Sequence, residues 1–351
     1  MSATSRRRTG KDPLAHGVLC MDGLRLPFDQ YQRYKLIQEV IEALGTQRPL
    51  RILDVGGSPG IIRQFFPTDH VVVIDLDVIG SDLCGSGAAL PFEDAAFDAV
   101  ATTDTLEHVS PPTRSDFLRE LMRVAKTWLL IAAPFDSAQV VQAEEILQQL
   151  IVARYADGDR FIEEHRLHGL PDLPDTVSLV RSAGFDTVVL PNGYLHRWLL
   201  AISVFFLLQA RFDDAELSAR VNAYYNRSFY PEDNREPSYR KLIVAGRGAG
   251  NALARLPTLL VAAADDDPAT DLINFQVLNL MVQTLGERWS ERCLQAEARL
   301  HLLAQEHEYV QGQLQGILAS KSWRIAQLGL KPYKALQATY LRLARAVGRG
   351  R

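Results

Sequence analysis

The chain has 351 residues, of which 47% are apolar and 23% are charged, and this composition is typical of a globular protein with an ample core. The formal net charge of −4 argues against a nucleic-acid partner, because such a partner requires a basic surface. Cys20, Cys84 and Cys293 lack the paired spacing of a disulfide framework or a zinc site. We therefore predict no bound metal and a reducing, cytoplasmic location.

The N-terminal segment, residues 1–27, contains an arginine cluster that no apolar segment follows. This pattern predicts a disordered tail rather than a signal peptide. Apolar residues then recur at helical spacing over 28–44 and predict a helix. This helix leads into the apolar run Arg51–Val55, which the glycine-rich turn Gly56–Gly60 follows at once. A buried parallel strand commonly enters a helix beside a bound nucleotide-like ligand in this way.

A second apolar run, Val71–Leu76, carries an acid at its end, Asp75. A carboxylate at the tip of the second strand suits the two hydroxyls of a ribose. Between the runs there is room for one short helix over 61–69, so the segment reads as a βαβ unit. Pro59 removes one backbone donor from the turn, and no Lys or Arg stands between Asp54 and Arg63 to meet a phosphate. A ligand with adenosine and no phosphate fits better, and S-adenosylmethionine (SAM) is such a ligand.

Three further motifs follow in order: Leu90–Asp94 (L-P-F-E-D), Phe97–Val100 (F-D-A-V) and Leu106–Val109 (L-E-H-V). With the glycine turn, they make residues 28–248 resemble the class I SAM-dependent methyltransferases, in particular the small-molecule branch. The resemblance implies an α/β fold, a Rossmann-like doubly wound sheet of seven strands. A fifth strand is expected at 128–134, and segments 184–191 and 239–245 are expected to form an antiparallel hairpin at one edge.

The same resemblance assigns residues to the cofactor. Ser86 stands where the family often has Asp near the adenine amino group, and serine can still accept a hydrogen bond. Tyr31 and Tyr34 on the first helix are expected to pack in the core, with covering the cofactor as the alternative. The predicted cofactor-binding residues are Asp54, Gly56, Gly57, Ser58, Gly60, Asp75, Leu76, Ser86, Gly87, Ala88 and Thr103.

Catalytic candidates lie at the carboxyl ends of the later strands. Glu107 and His108 follow the fourth strand, and His108 is the first choice of general base, since its ordinary pKa lies near neutrality. The alternative is that the Leu-Glu-His motif has a structural role or contacts the cofactor instead of the acceptor. A second polar cluster over 161–171 contains Glu164 and His165, either of which could act as a base or bind a sugar hydroxyl. Tyr194 and His196 are predicted to line the same cavity.

A long insertion, 192–238, separates the two edge strands and opens with an apolar stretch over 198–208. This stretch is too short to cross a bilayer. We expect a buried helix packed on the sheet, and the alternative is an apolar wall for a lipid-linked acceptor.

The C-terminal third has a different character. Residues 249–281 read as a linker with helical segments, and 282–319 carry an apolar a/d seam that predicts a coiled coil. Packing of this helix back on the same chain would give a similar pattern, so homo-oligomerisation and self-packing both stay open. Residues 320–351 are basic and amphipathic, which is typical of a helix on an anionic membrane surface. The segment 320–325 (S-K-S-W-R-I) also resembles tails of bacterial surface-polysaccharide enzymes.

Together these features predict a SAM-dependent methyltransferase that O-methylates a sugar hydroxyl in surface-polysaccharide or glycolipid assembly. Its expected location is cytoplasmic, with peripheral contact to the inner face of the membrane. One alternative is methylation of a small lipophile such as a quinone. Another is a non-catalytic coiled-coil scaffold with a degenerate methyltransferase domain.

Overall fold

The computed structural model describes residues 23–155, 159–212, 215–262, 298–299, 301–313, 315–316 and 340. The chain divides into two compact units, Met1–Leu280 and Met281–Arg351. The first unit contains the sheet and the candidate site.

Within the described residues, seven strands form one sheet in the order β3-β2-β1-β4-β5-β7-β6. Strands β1 to β5 are parallel, whereas β7 pairs antiparallel with both β5 and β6. The strands are β1 Arg51–Val55, β2 His70–Asp75, β3 Leu83–Cys84, β4 Phe97–Thr103, β5 Ala125–Ala133, β6 Asp186–Tyr194 and β7 Ser238–Gly246. The predicted fold class and the antiparallel edge hairpin are therefore confirmed.

The chain order of the strands reverses at β1, which pairs with β2 on one side and β4 on the other. Asp54 stands opposite Val73 of β2 and Ala101 of β4, so the carboxyl ends of the three strands lie side by side. Doubly wound sheets bind their ligands at such a switch point. The candidate site is at this edge.

Helices cover both faces of the sheet. One apolar core cluster includes Ile37, Val40 and Ile41 of α1, and the other includes Leu118 and Leu121 of α2. The helices are α1 Phe28–Ala43, α2 Pro111–Val124, α3 Ala138–Tyr155, α4 Arg160–His168, α5 Leu173–Ser182, α6 Leu195–Phe212, α7 Ala215–Ser228, α8 Gly250–Leu253 and α9 Leu256–Leu260.

Two local expectations need correction. The segment after the glycine turn forms only a 3₁₀ helix, Ile61–Gln64, and not a longer helix over 61–69. Pro67 disfavours a helical conformation at the residue before it, which limits how far a helix could extend. The predicted disordered tail extended too far, since Gly23–Arg25 form a 3₁₀ helix and Leu26 is buried. Asn226 of α7 fixes this segment by donating to the carbonyl oxygens of Leu24 and Leu26.

The insertion folds as α6 and α7 followed by a 3₁₀ helix, Tyr230–Glu232. Trp198 and Leu199 at the start of α6 are buried, as a helix packed on the body of the unit requires. Asn222 of α7 accepts a hydrogen bond of 3.0 Å from the backbone N–H of Phe28, which ties the insertion to the start of α1.

In the second unit, the described residues 298–299, 301–313, 315–316 and 340 are helical. Leu303 and Val310 of the predicted seam are exposed in the single chain. The rest of the predicted coiled coil and of the basic tail lies outside the described residues, so both stay predictions. Among the helices of the described part of the chain, none is both long and apolar enough to cross a bilayer.

Candidate active site

A cavity of about 1160 Å³ lies at the carboxyl ends of β1, β2 and β4. Eight of the eleven predicted cofactor residues line it: Gly56, Ser58, Asp75, Leu76, Ser86, Gly87, Ala88 and Thr103. Asp54, Gly57 and Gly60 do not line the cavity. Some of the predicted cofactor residues thus line the cavity, and the others lie outside its lining.

The glycine turn begins with a conformation that only glycine adopts easily. Gly56 has a φ of 78°, and its N–H donates to the carbonyl oxygen of Ile74 at 2.8 Å, which joins the turn to β2. A Cβ on Gly56 would lie 2.2 Å from Oγ1 of Thr105, in the loop after β4. The turn, β2 and the β4 loop therefore approach one another more closely than a side chain at Gly56 permits.

Asp54 supports the turn from the core. Its side chain is fully buried, and a Cβ on Gly57 would lie 1.9 Å from Asp54 Oδ2. Burial raises the pKa of Asp54 to about 7, although the positive charge of Arg33 opposes the shift. Asp54 therefore packs against the backbone of the turn instead of facing the cavity.

Asp75 faces the cavity at the end of β2. Its Oδ2 accepts the backbone N–H of Ser58, and its Oδ1 accepts that of Asp77, both at 2.9 Å. A carboxylate oxygen has two lone pairs, so both oxygens can still accept hydroxyl hydrogens. Arg63, the first basic residue after the turn, is bound to Asp82 at 2.5 Å and to the carbonyl oxygen of Gly80 at 2.9 Å. This donor set fits a ribose and offers no cation for a phosphate.

The predicted adenine side is partly apolar. Leu76, Val109 and Phe117 line the cavity beside Ser86 and Gly87. A Cβ on Gly87 would lie 2.3 Å from Cε2 of Phe117, so the backbone there packs directly on the aromatic ring. Apolar side chains of this kind suit the flat face of a purine.

On the opposite side, the loop after β4 begins with Asp104, whose φ is 46°. Asp104 accepts two hydrogen bonds from Arg240 of β7 and one from Arg33 of α1, each of 2.6 Å. Burial by itself would raise the pKa of Asp104, but Arg240 and Arg33 outweigh it and hold the pKa at about 2. This ion cluster joins α1, β7 and the loop after β4, and its three residues line the cavity.

The two histidines predicted as catalytic are neighbours, with ring centroids 4.8 Å apart. Nδ1 of His108 lies 3.0 Å from Glu164, which Arg160 also contacts at 2.9 Å. Burial lowers the pKa of His108, His165 lowers it further, and the charge of Glu164 opposes both. His108 lies in the turn before α2 and His165 lies on α4, so the fold unites two separate segments of the chain.

His165 is buried, and its Nδ1 lies 2.8 Å from Oε1 of Glu144 on α3. The same oxygen accepts a hydrogen bond of 2.9 Å from the hydroxyl of Tyr239. Trp198 stacks on Tyr239, with ring centroids 3.5 Å apart and planes inclined by 9°. None of Glu144, Tyr239 and Trp198 belongs to a motif, and the sequence contains no local pattern that connects them with His165.

Glu107 is the third predicted catalytic residue and is 1% exposed. Burial, together with the negative charge of Asp104, raises the pKa of Glu107 well above its ordinary value. One donor atom of each of Glu107, His108 and His165 lies within 4.8 Å of a donor atom of each of the others. The three predicted catalytic residues therefore form one cluster, while their roles stay predictions.

Other predicted residues have different positions. Tyr34 lines the cavity although it is almost fully buried, and Tyr31 packs in the core. Tyr194 and His196 contact each other at 3.2 Å, and neither lines the cavity. Trp198, Ile202 and Phe206 of α6 do line it, so the helix that was expected to pack on the sheet also contributes apolar side chains to the site.

Parts of the chain are similar to known methyltransferases. Residues 53–128 match the family described as a methyltransferase domain. An uncharacterized methyltransferase of Mycolicibacterium gilvum is 34% identical over 97 residues, which cover 23% of this chain and 37% of that protein. The chain thus matches just over a third of the length of this curated relative.

Two solved structures show a distant likeness. A putative methyltransferase from Bacillus halodurans has 16% sequence identity and a TM-score of 0.36, over 60% of this chain and 98% of its own. The magnesium protoporphyrin IX methyltransferase from Synechocystis has 13% identity and a TM-score of 0.38, over 62% of this chain and 82% of its own. The fold is that of the class I methyltransferases. This assignment depends on the strand order and the antiparallel β7 of the sheet itself.

Proposed function

We propose that this protein is a SAM-dependent methyltransferase that transfers a methyl group to a hydroxyl of a sugar. The observation that carries the proposal is the donor set at the switch point of the sheet. A glycine turn that closely approaches its neighbours and a carboxylate at the end of β2 line one cavity, and Arg63, the first basic residue after the turn, is already bound to Asp82. The match of residues 53–128 to a methyltransferase domain supports the same conclusion.

In this proposal the carboxylate of Asp75 binds the ribose hydroxyls, and Leu76 and Phe117 flank the adenine near Ser86. Bound SAM supplies a methyl group on a positively charged sulfur, which becomes a neutral thioether when the acceptor oxygen takes the methyl group and its proton is released. The protein's contribution is to align the acceptor, exclude water and assist the loss of that proton.

The acceptor side of the cavity is rich in hydrogen-bonding groups. His108, Glu164 and Arg160 line the same cavity as Asp75, and Arg160 is largely exposed, so that it can contact a ligand that enters from solvent. Several carboxylate and guanidinium groups suit the many hydroxyls of a sugar better than they suit a wholly apolar molecule. The resemblance of residues 320–325 to tails of surface-polysaccharide enzymes supports a glycan acceptor independently.

A second candidate acceptor is a small lipophile, which the apolar residues of α6 favour. Trp198, Ile202 and Phe206 form one wall of the cavity. A glycan joined to a lipid would use both walls, with its sugar against Glu164 and its apolar part against Ile202. Of the candidate acceptors, we favour a glycolipid precursor of this kind at the cytoplasmic face of the membrane.

The test uses the full chain and SAM with an isotopically labelled methyl group. Label is expected to enter the lipid-linked glycan fraction of a bacterial extract and to stay in the sugar after mild acid separates sugar from lipid. Label in a quinone fraction would support the second candidate and contradict the first. If the protein binds SAM and labels no fraction, the scaffold hypothesis replaces the enzyme.

The location and partners are proposals of their own. The basic amphipathic character of 320–351 supports peripheral contact with an anionic membrane, and the a/d seam of 282–319 supports a homo-oligomer. Removal of 320–351 is expected to shift the protein from the membrane fraction to the soluble fraction. An unchanged distribution would contradict the membrane proposal without affecting the methyltransferase proposal.

A further inference from the structure

The three predicted catalytic side chains have the composition of a metal site and lie close to one another. Glu107, His108 and His165 each have a donor atom within 4.8 Å of the other two. Two imidazoles and one carboxylate are the ligands of many mononuclear metal centres that keep positions open for a substrate. The sequence predicted no metal, because these ligands come from two separate segments of the chain and have no local metal-binding spacing.

The hydrogen bonds of the two histidines leave one nitrogen of each ring available. Nδ1 of His108 is bound to Glu164, and Nδ1 of His165 is bound to Glu144. A carboxylate accepts hydrogen bonds, so each neutral ring donates through Nδ1 and keeps a lone pair on Nε2. Metal-bound histidines in proteins characteristically have this carboxylate partner, which fixes the tautomer and the orientation of the ring.

The cluster also contains buried polar atoms without partners. Within the described residues, neither Nε2 of His165 nor Oε2 of Glu107 has a hydrogen-bond partner, and both atoms are buried. His165 is 6% exposed and Glu107 is 1% exposed. Leaving a buried polar group without a partner is unfavourable, so a ligand that satisfies both atoms would be favoured.

The charges around the cluster favour a cation. Glu107, Asp104, Glu144 and Glu164 lie around it, and the neighbouring guanidiniums are already engaged in ion pairs, Arg33 and Arg240 with Asp104 and Arg160 with Glu164. Asp104 uses both oxygens in these ion pairs, so it is not available as a further ligand. The three side chains would hold a cation and leave its remaining positions open to the cavity.

We propose that Glu107, His108 and His165 bind one divalent transition-metal ion, of the class of Mn²⁺, Fe²⁺, Co²⁺ or Zn²⁺, which also contacts the acceptor hydroxyl. Nitrogen ligands favour these ions over Mg²⁺ and Ca²⁺, which prefer oxygen. At ligand bonds of about 2.1 Å, neighbouring donor atoms lie roughly 3 Å apart, so binding would draw the three side chains together.

The role of the ion deepens the proposed function and depends on it. A cation that contacts the acceptor hydroxyl makes the hydroxyl more acidic, and the released proton passes to solvent water. His108 then serves as a ligand through Nε2 and does not accept the proton itself. The ion replaces the histidine base that the sequence predicted.

The experiment titrates Co²⁺ into tag-free full-length protein that has been stripped with chelator. About one equivalent is expected to bind, with visible absorption bands of nitrogen-ligated cobalt, and an equal concentration of Mg²⁺ is not expected to displace it. His165→Ala and His108→Ala are expected to weaken binding by about 100-fold. Glu144→Gln, which weakens the hydrogen bond that orients His165, is expected to weaken it by about 10-fold. His70→Ala, at an exposed histidine at the start of β2, is the control and is expected to bind like the parent.

Failure of this proposal is separable from failure of the methyltransferase proposal. If the folded parent binds no cobalt, or if His165→Ala and His70→Ala bind it equally, the metal site is wrong. Binding of SAM to the stripped protein, measured by calorimetry, tests the proposed function separately. Circular dichroism of each variant shows whether it is folded, and the titration of the parent decides the matter if a variant is not.

Discussion

Arg240 and Asp104 form a bidentate ion pair in the lining of the cavity, with Nε to Oδ1 and Nη2 to Oδ2 distances of 2.6 Å each. The pair joins β7, at the antiparallel edge, to the loop that follows the central strand β4. Arg33 of α1 binds the same carboxylate. One acidic side chain thus fixes the relative positions of three elements that carry the candidate site.

We expect Asp104→Asn to lower the free energy of unfolding by about 3–5 kcal/mol at pH 7. The substitution leaves the buried guanidiniums of Arg240 and Arg33 facing each other without a counter-charge. Urea unfolding measures the effect. Asp94→Asn removes the exposed partner of another arginine, Arg123, and is the control with an expected loss below about 1 kcal/mol.

The same variant has an expected pH dependence. The folded pKa of Asp104, about 2, lies below the ordinary value of about 3.9, so its charge stabilises the fold by about 2–3 kcal/mol. This contribution is fully present above about pH 4 and is lost as the pH falls towards 2. The difference between parent and variant should therefore shrink below pH 4, and a constant difference would contradict the assigned role.

Asp54→Asn should show the opposite dependence. The folded pKa of Asp54, about 7, lies above its unfolded value of about 3.9. The preference of the fold for the protonated acid is fully present below about pH 4 and is lost as the pH rises through 7, which amounts to about 4 kcal/mol. Because Asn does not ionise, the variant should gain stability relative to the parent between pH 4 and 8. Asp116→Asn, at an exposed residue, is the control and should show no such gain.

A pair of glycine substitutions separates strain from close packing. Gly45 and Gly56 both have positive φ, but a Cβ on Gly45 meets nothing within 4 Å, whereas one on Gly56 meets Thr105. Alanine should cost about 1–2 kcal/mol at either position through backbone strain. At Gly56 the clash adds about 1–3 kcal/mol and should also abolish SAM binding. Thermal unfolding and calorimetry measure the two effects, and equal losses at both positions would contradict the close approach.

Much of the sheet could be predicted from the sequence. β1, β2, β4 and β5 are buried apolar runs, and the turns and motifs between them identified the order of the elements. β3 could not be predicted, because it has only two residues, Leu83 and Cys84, and both are exposed. β3 forms only because it pairs with β2, and no local sequence pattern predicts that tertiary pairing.

The candidate site was predicted in part. His108, Glu107 and His165 were chosen individually, and the fold places them together. Glu144, which orients His165, lies in the middle of a helix and is linked to it only through the packing of α3 on α4. Asp54 was predicted to bind the cofactor, and the structure shows that it does not line the cavity. An acid before a glycine turn looks the same in the sequence whether it faces the cavity or the core.

The apolar residues of α6 that line the cavity predict that a charge there weakens acceptor binding and leaves SAM binding unchanged. Ile202→Asp places a charge on the cavity wall and should raise the KM for a lipid-linked acceptor by about 10-fold or more, while the affinity for SAM stays unchanged. Leu217→Asp, at an exposed position on α7 outside the cavity, is the control. Equal KM values for the two variants would show that the acceptor does not contact α6.

The most direct test of the account is calorimetry of SAM with the parent, Asp75→Ala and Asp116→Ala. The parent and Asp116→Ala should bind SAM with the same affinity, because Asp116 is exposed and does not line the cavity. Asp75→Ala should bind at least about 10-fold more weakly, since the ribose loses its acceptor. An absence of SAM binding by the parent would contradict the proposed function, and equal binding by all three proteins would contradict the assignment of Asp75 to the ribose.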